Sequence, residues 1–198
     1  MNLRHIVSLV SFVAICTALM MTACQAKPID MSQLLPNVDK NTVTIVGYGF
    51  RYHSQVPSEV ALLAESLAKH GVTTVFLVVS IDDAENVKAI TDSKAGDFIQ
   101  DPLIRDYGKT YPMMLRAIVA AGIKVIPADL SHAEGIPKPE LRNKYIADQI
   151  LAESLRNPKA KFVLLASKWF IKPVGGILVK HKLTVGSIEI DEGVQPMN

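Results

Sequence analysis

Cysteine is almost missing from this chain. The two present, Cys16 and Cys24, both stand before the first segment that reads as folded. A domain built after them has no disulfide, no thiol nucleophile and no thiolate metal ligand. Net charge is almost missing as well: 21 Lys and Arg against 19 Asp and Glu leave +2. That is too little to argue for nucleic acid, and no Lys/Arg run interleaves with aromatics. Phosphate cradles are absent. "GYGFRYH", residues 47–53, ends an apolar run but lacks the third glycine of a dinucleotide fingerprint. Its Phe50 and Tyr52 are too bulky for close backbone approach. There is no GxSxG elbow for a serine nucleophile, and "KPVGGI" is too short and wrongly placed for a Walker loop. What remains, 49% hydrophobic and 20% charged residues, describes a folded globular chain.

The most specific signal lies at the N-terminus. Arg4 and His5 precede the apolar segment "IVSLVSFVAICTALMM", and "MTAC", residues 21–24, follows. A short basic region, an apolar stretch and small residues before a cut describe a secretory signal. A cysteine directly after "MTA" resembles the lipobox of bacterial lipoproteins, with Met where Leu is more usual. The competing reading is a retained membrane span. Against it, the apolar segment falls short of about 20 residues and no basic cluster follows. The resemblance implies a signal peptide over 1–23 and a diacylglyceryl group on Cys24. At about 0.8 kcal/mol per buried methylene, several acyl chains anchor a protein without a spanning helix. Gln25 after the cysteine, rather than Asp, implies the periplasmic face of the outer membrane.

Residues 24–41, polar with two prolines, read as a flexible tether without a core face. Strands are then expected at "TVTIVGYGF", "VTTVFLVVS", "IKVIPADLS", "KFVLLASKW" and "VGSIEID". Helical spacing appears in "SEVALLAESLAKHG", with Ser58 as N-cap and Gly71 as stop, in "YPMMLRAIVAAG" and in "KPELRNKYIADQILAESLRN". Residues 82–109 read as short helices and loop, and "GGILVKHKL" as a short helix or turn. Strands that are apolar throughout and alternate with helices predict one α/β domain over 42–192. Its core is a mainly parallel five-stranded sheet with helices on both faces, and 193–198 form a tail.

In such sheets ligands lie outside the carboxyl ends of the strands. That rule selects Tyr48, Tyr52 and His53 after the first strand, and Asp82 and Asp83 after the second. It selects Asp129 and His132 after the third, and Trp169 after the fourth. Imidazoles and carboxylates drawn from separate strands suit acid–base or metal chemistry, with His53, Asp129 and His132 the catalytic candidates. Each also has a plainer reading. Asp129 opens "DLSH", a capping or turn signal; Asp82 and Asp83 suit the first turn of a helix; Trp169 suits packing. His70 and His181, near helix ends, read as solvated.

The order of elements resembles the superfamily of ChaN-like haem-binding lipoproteins, TraB/Tiki proteins and erythromycin esterases. The likeness rests on "GYGF", "HGVTTVFLVV", "YPMMLRAIVAAGIKVIPADL", "RNKYIADQI" and "KFVLLASKW". Tyr111, Arg116, Asp129, Arg142 and Asn143 fall on the family pattern. Its chemistry does not carry over. Tyr48 and Phe50 stand at the glutamate and first histidine positions, Val79 or Ser80 at the second glutamate, and Trp169 at the last histidine. The resemblance therefore implies a hydrolase-like scaffold without its catalytic set. The aromatics then either close the pocket as core or line a site for a planar apolar ligand such as haem, with Tyr48, Tyr52, His53 and Trp169 as binding residues. Two expectations follow: a lipid-anchored module holding a ligand or envelope partner without turnover, or a metal-dependent hydrolase using His53, Asp129 and His132. No resident metal is expected in the first.

Overall fold

Unbroken runs of Val, Ile, Leu and Phe leave a strand no polar side to turn outward, so these strands need cover on both faces. The computed structural model, which describes residues 29–49, 54–92, 108 and 110–191, supplies that cover. Strands β1 (Val43–Tyr48), β2 (Val72–Ser80), β3 (Lys124–Asp129), β4 (Lys161–Ser167) and β5 (Val185–Glu189) form one parallel sheet in the order β3-β2-β4-β1-β5. The α/β fold and the five parallel strands are those expected.

Six helices are described: α1 (Leu34–Lys40), α2 (Val56–Lys69), α3 (Ala84–Asp92), α4 (Thr110–Ala120), α5 (Pro139–Arg156) and α6 (Ile171–Lys180). Alternation along each strand sends the side chains to two separate cores. Val46, Tyr48, Leu77, Val79 and Leu165 pack with α1 to α4. Ile45, Phe76, Val78, Phe162 and Leu164 pack with α5 and α6. In the second core Phe76 meets Phe162 edge to face at 5.9 Å, a contact worth about 0.5–1.5 kcal/mol beyond area burial. Pro127 is tolerated because β3 is an edge strand, where a missing N–H leaves no ladder bond unmade.

Two local expectations are corrected. Part of the expected tether is the helix α1, and its Leu34 and Val38 are buried in the first core. The two leucines and the valine in "LLPNVD" supply an apolar face that two neighbouring prolines disguised. Ser58 is not the N-cap of α2. That helix begins at Val56 with Pro57 in its first turn, a position where the fixed proline φ suits a helix start. The expected signal peptide, Cys24, Phe50, Tyr52 and His53 lie outside the described residues.

The chain leaves β1 and β2 toward the β3 edge and leaves β3 and β4 toward the β5 edge. Helices of the first set cover one face and those of the second set the other. The carboxyl ends of β1, β2 and β4 are therefore where the winding reverses, the place at which such sheets leave a crevice. At Gly47 this end closes tightly. A Cβ there would lie 2.2 Å from Ile171 Cδ1 and 3.1 Å from Lys168 Cα.

Candidate functional site at the carboxyl edge of the sheet

Three connections crowd this edge: Ile81–Asp83 after β2, the loop from Leu130 to Lys138 after β3, and the 3-10 turn Lys168–Phe170 after β4. β2 ends in Ser80, whose Oγ accepts from the Asp82 N–H at 3.1 Å and so starts the 3-10 turn. That turn brings the Asp82 carboxylate to the loop after β3. Its Oδ2 accepts from Ser131 Oγ at 3.0 Å and from the His132 backbone N–H at 2.7 Å. Ser80 Oγ lies 2.9 Å from the same oxygen and 3.2 Å from the Leu130 carbonyl, and its single proton serves one of the two at a time. Hydrogen bonds from Ser131, then from the His132 N–H and Ser80, hold the Asp82 carboxyl below its usual range. Asp82 is thus a staple between two loops rather than only a helix-turn acid.

Asp129, the last residue of β3, is 1% exposed. A buried carboxylate needs partners, because its desolvation is otherwise prohibitive. Arg142, in the first turns of α5, supplies them. Its Nε lies 3.0 and 3.1 Å from the two carboxylate oxygens, its Nη2 donates to Oδ2, and the Leu130 N–H adds a bond to Oδ1 at 2.9 Å. The guanidinium also sits 5.0 Å above the ring of Phe170, so one arginine joins the ends of β3 and β4. The expected turn role of Asp129 is real but minor beside this bidentate pair.

His132 is brought to Asp129 and His53 is not among the described residues. The Nε2 of His132 lies 3.4 Å from Asp129 Oδ2. It makes no hydrogen bond to any described residue although that atom is covered, and the side chain as a whole is 34% exposed. This is an imidazole beside a buried carboxylate without an aligned bond between them. Among the described residues no group of three or more His, Cys, Asp or Glu could hold a metal ion.

The aromatic candidates separate. Tyr48 is 1% exposed and packs in the first core with Val46 and Leu165. Trp169 is 79% exposed, which corrects the expectation that it packs as a pocket floor. It sits in the 3-10 turn after β4, whose start crosses Gly47, and the next residue, Phe170, takes the inward place against Arg142 and the second core. Of the residues named for a planar ligand such as haem, Tyr48 is thus enclosed by core, while Tyr52 and His53 lie outside the described residues. Around the same edge, Ile81, Ile136 and Leu141 are also exposed. His70 is not simply solvated: its Nδ1 lies 2.6 Å from Asp39 Oδ1 at the opposite edge. Arg142 stood in the sequence only as a residue on the resembled family's pattern, without a role; the structure makes it the partner of Asp129. An arginine early in the helix that follows a strand ending in Asp was the available sign.

No family model matches the chain, and no curated protein matches it. Among solved structures it is similar to the type III effector HopBA1, at 18% identity over 72% of this chain and 75% of that one, with a TM-score of 0.54. It also aligns with RRSP, a MARTX toxin effector domain from Vibrio vulnificus CMCP6, at 19% identity over 69% of this chain and 29% of that one, TM-score 0.46. A third alignment is to a structure described as bacterial protein toxins, at 14% identity over 83% of this chain and 36% of that one, TM-score 0.47. The chain spans about a third of these last two proteins. The likeness to HopBA1 is one of fold. The resemblance to the ChaN-like, TraB/Tiki and erythromycin esterase superfamily is overturned: no family model supports it, and the solved structure whose fold the chain shares is the effector HopBA1. The short motifs that carried it mark strand ends and helix stops that many parallel α/β sheets share.

Proposed function

We propose that this protein is a lipid-anchored module of the bacterial cell envelope, held by Cys24 at the periplasmic face of the outer membrane. It binds a ligand or an envelope partner at the carboxyl edge of its sheet without turnover. The observation that carries the reading is the state of the acids there. Asp129 is gripped by Arg142, and Asp82 by Ser131 and the His132 N–H, so both carboxylates hold loops in register. Around this rigid polar floor, exposed Trp169, Ile136 and Leu141 offer apolar contact area of the kind that anchors an interface. The anchor rests on the lipobox-like "MTAC".

Replacing Cys24 with Ala is expected to abolish palmitate labelling; retained labelling would remove the anchor from the proposal. Trp169→Ala should change stability by no more than about 0.5 kcal/mol, as for other surface positions. It should also erase a crosslinked species formed by the full chain in membranes, while Leu62→Ala, on the exposed face of α2, keeps it. A crosslinking pattern indifferent to Trp169 would move binding away from this edge.

A second reading, hydrolysis, is favoured by one observation: the covered Nε2 of His132 beside Asp129. There His132 would act as the general base, oriented by Asp129. Turnover of simple aryl esters by the full chain, lost in His132→Gln, would put this reading in place of the first.

A further inference from the structure

We infer that the opposite, amino edge of the sheet is a docking face for an anionic phospholipid surface. The inference rests on the membrane anchoring proposed above and says which side of the domain meets the bilayer. Because all five strands are parallel, every helix-to-strand connection arrives at this one edge. Contacts between those connections bind it into one surface: Asp39 with His70 and Lys161, Thr42 with Thr184, and Lys124 with Glu153. The acids here are already matched, Asp39 by Lys161 and His70, and Glu153 by Lys124 and Arg156. Left over are Lys40, Lys159, Lys180 and Lys182, all exposed and without an ion pair among the described residues.

Helix C-termini attract cations, which accounts for Lys40 and Lys180 one at a time. It does not account for Lys159 or Lys182, which stand beyond the last helical turn. Their sum leaves this face with an excess of positive charge in a chain of net charge only +2. A face of this kind fits a surface of negative headgroups, where each basic side chain contributes roughly five-fold to affinity. Only Gln25–Pro28 stand between Cys24 and Ile29, and a trans chain covers at most about 3.6 Å per residue, so Ile29 lies within about 18 Å of a lipid on Cys24. The acyl chains on Cys24 supply the anchoring, and the basic face selects which side of the domain meets the bilayer. With this edge down, Trp169 and His132 face away from the membrane.

The test uses the unlipidated full chain, Cys24→Ala, so that loss of anchoring and loss of this face are read separately. Co-sedimentation is measured with phosphatidylcholine vesicles and with vesicles also containing phosphatidylglycerol. The expected result is tighter binding to the anionic vesicles, weakened about 100-fold when Lys159, Lys180 and Lys182 become Gln, and weakened by salt. The equal charge change at the other edge, Lys138→Gln with Lys168→Gln and Lys172→Gln, all exposed, should leave it unaltered. Equal binding to both vesicles, or anionic preference that survives the triple substitution in a folded protein, overturns the inference. So does tighter binding of the same lysines to duplex DNA than to phosphatidylglycerol.

Discussion

The two edges of this sheet are made from the same kinds of residues and put them to opposite uses. At the amino edge the ion pairs are exposed, between Lys161 or His70 and Asp39, and between Lys124 or Arg156 and Glu153. Several lysines there have no acid to meet. At the carboxyl edge one arginine closes on one buried aspartate, and a second aspartate is held by hydroxyls and a backbone N–H. For the Asp129–Arg142 pair the difference lies in water; Asp82 is exposed like Asp39 and differs in being held by neutral donors. Exposed pairs in high dielectric are worth about 0–1 kcal/mol and leave the surface adjustable. A pair taken out of water fixes geometry, because neither charge survives alone. The amino edge is therefore suited to a diffuse, salt-sensitive contact and the carboxyl edge to a preformed one.

The sharpest way to break this comparison is Arg142→Ala. It leaves the 1% exposed Asp129 carboxylate without its bidentate partner, a loss expected to cost about 3–5 kcal/mol. Lys161→Ala at the amino edge, which removes a pair at 3.6 Å with the half-exposed Asp39 carboxylate and a bond at 3.2 Å to the Asp39 carbonyl, should cost about 1 kcal/mol. Urea titrations of both variants measure the contrast. Equal midpoints would mean that burial does not separate the two edges.

Next in size is Gly47→Ala, which probes how tightly the carboxyl edge is closed. The added Cβ would meet Ile171 Cδ1 at 2.2 Å, a side chain that can turn, and Lys168 Cα at 3.1 Å, which cannot move without its turn. Overpacking of this kind is expected to cost about 1–3 kcal/mol. The displaced turn carries Trp169, so crosslinking through that residue should also change. A neutral effect on the denaturation midpoint would show the crevice to be slack.

Most of the fold was legible in the sequence because burial on both faces writes itself as unbroken apolar runs, and Gly71 and Gly122 stop helices at positive φ. The site was less so. Strand ends named Asp82, Asp129 and His132 correctly as neighbours of one edge, since in a parallel sheet the topology alone brings them there. What they do to each other was hidden. Arg142 reaches Asp129 across 13 positions, and no local spacing announces a pair set by how α5 lies on the second core. Trp169 was misjudged because hydrophobic size argues for burial, while the 3-10 turn after β4 turns Phe170 inward instead. Helix α1 was missed for the reverse reason. Seven residues are too few for propensity to signal, and packing alone makes the helix stable.

The smallest expected effect sharpens the comparison through salt. Asp82 at one edge and Asp39 at the other both have carboxyls held below the ordinary value of 3.8. Asp82 is held chiefly by the Ser131 hydroxyl and the His132 N–H, Asp39 chiefly by its bond to His70 and then by the charges of His70 and Lys161. A carboxyl whose folded pKa is depressed contributes stability that is fully present above the unfolded value. That stability is lost as pH falls through the folded one. Each therefore steepens the loss of stability below about pH 4, and Asp82→Asn and Asp39→Asn should each flatten that acid limb without abolishing it, since Glu153 also titrates low. Salt tells the two apart. Screening weakens an exposed pair of charges and hardly touches hydrogen bonds from neutral donors. Raising ionic strength should erase much of the difference between wild type and Asp39→Asn while leaving that between wild type and Asp82→Asn in place. Melting curves across pH at two salt concentrations measure both. If salt removes the Asp82 difference as well, that carboxylate is held by the general field of the protein and not by the loop that ends in His132.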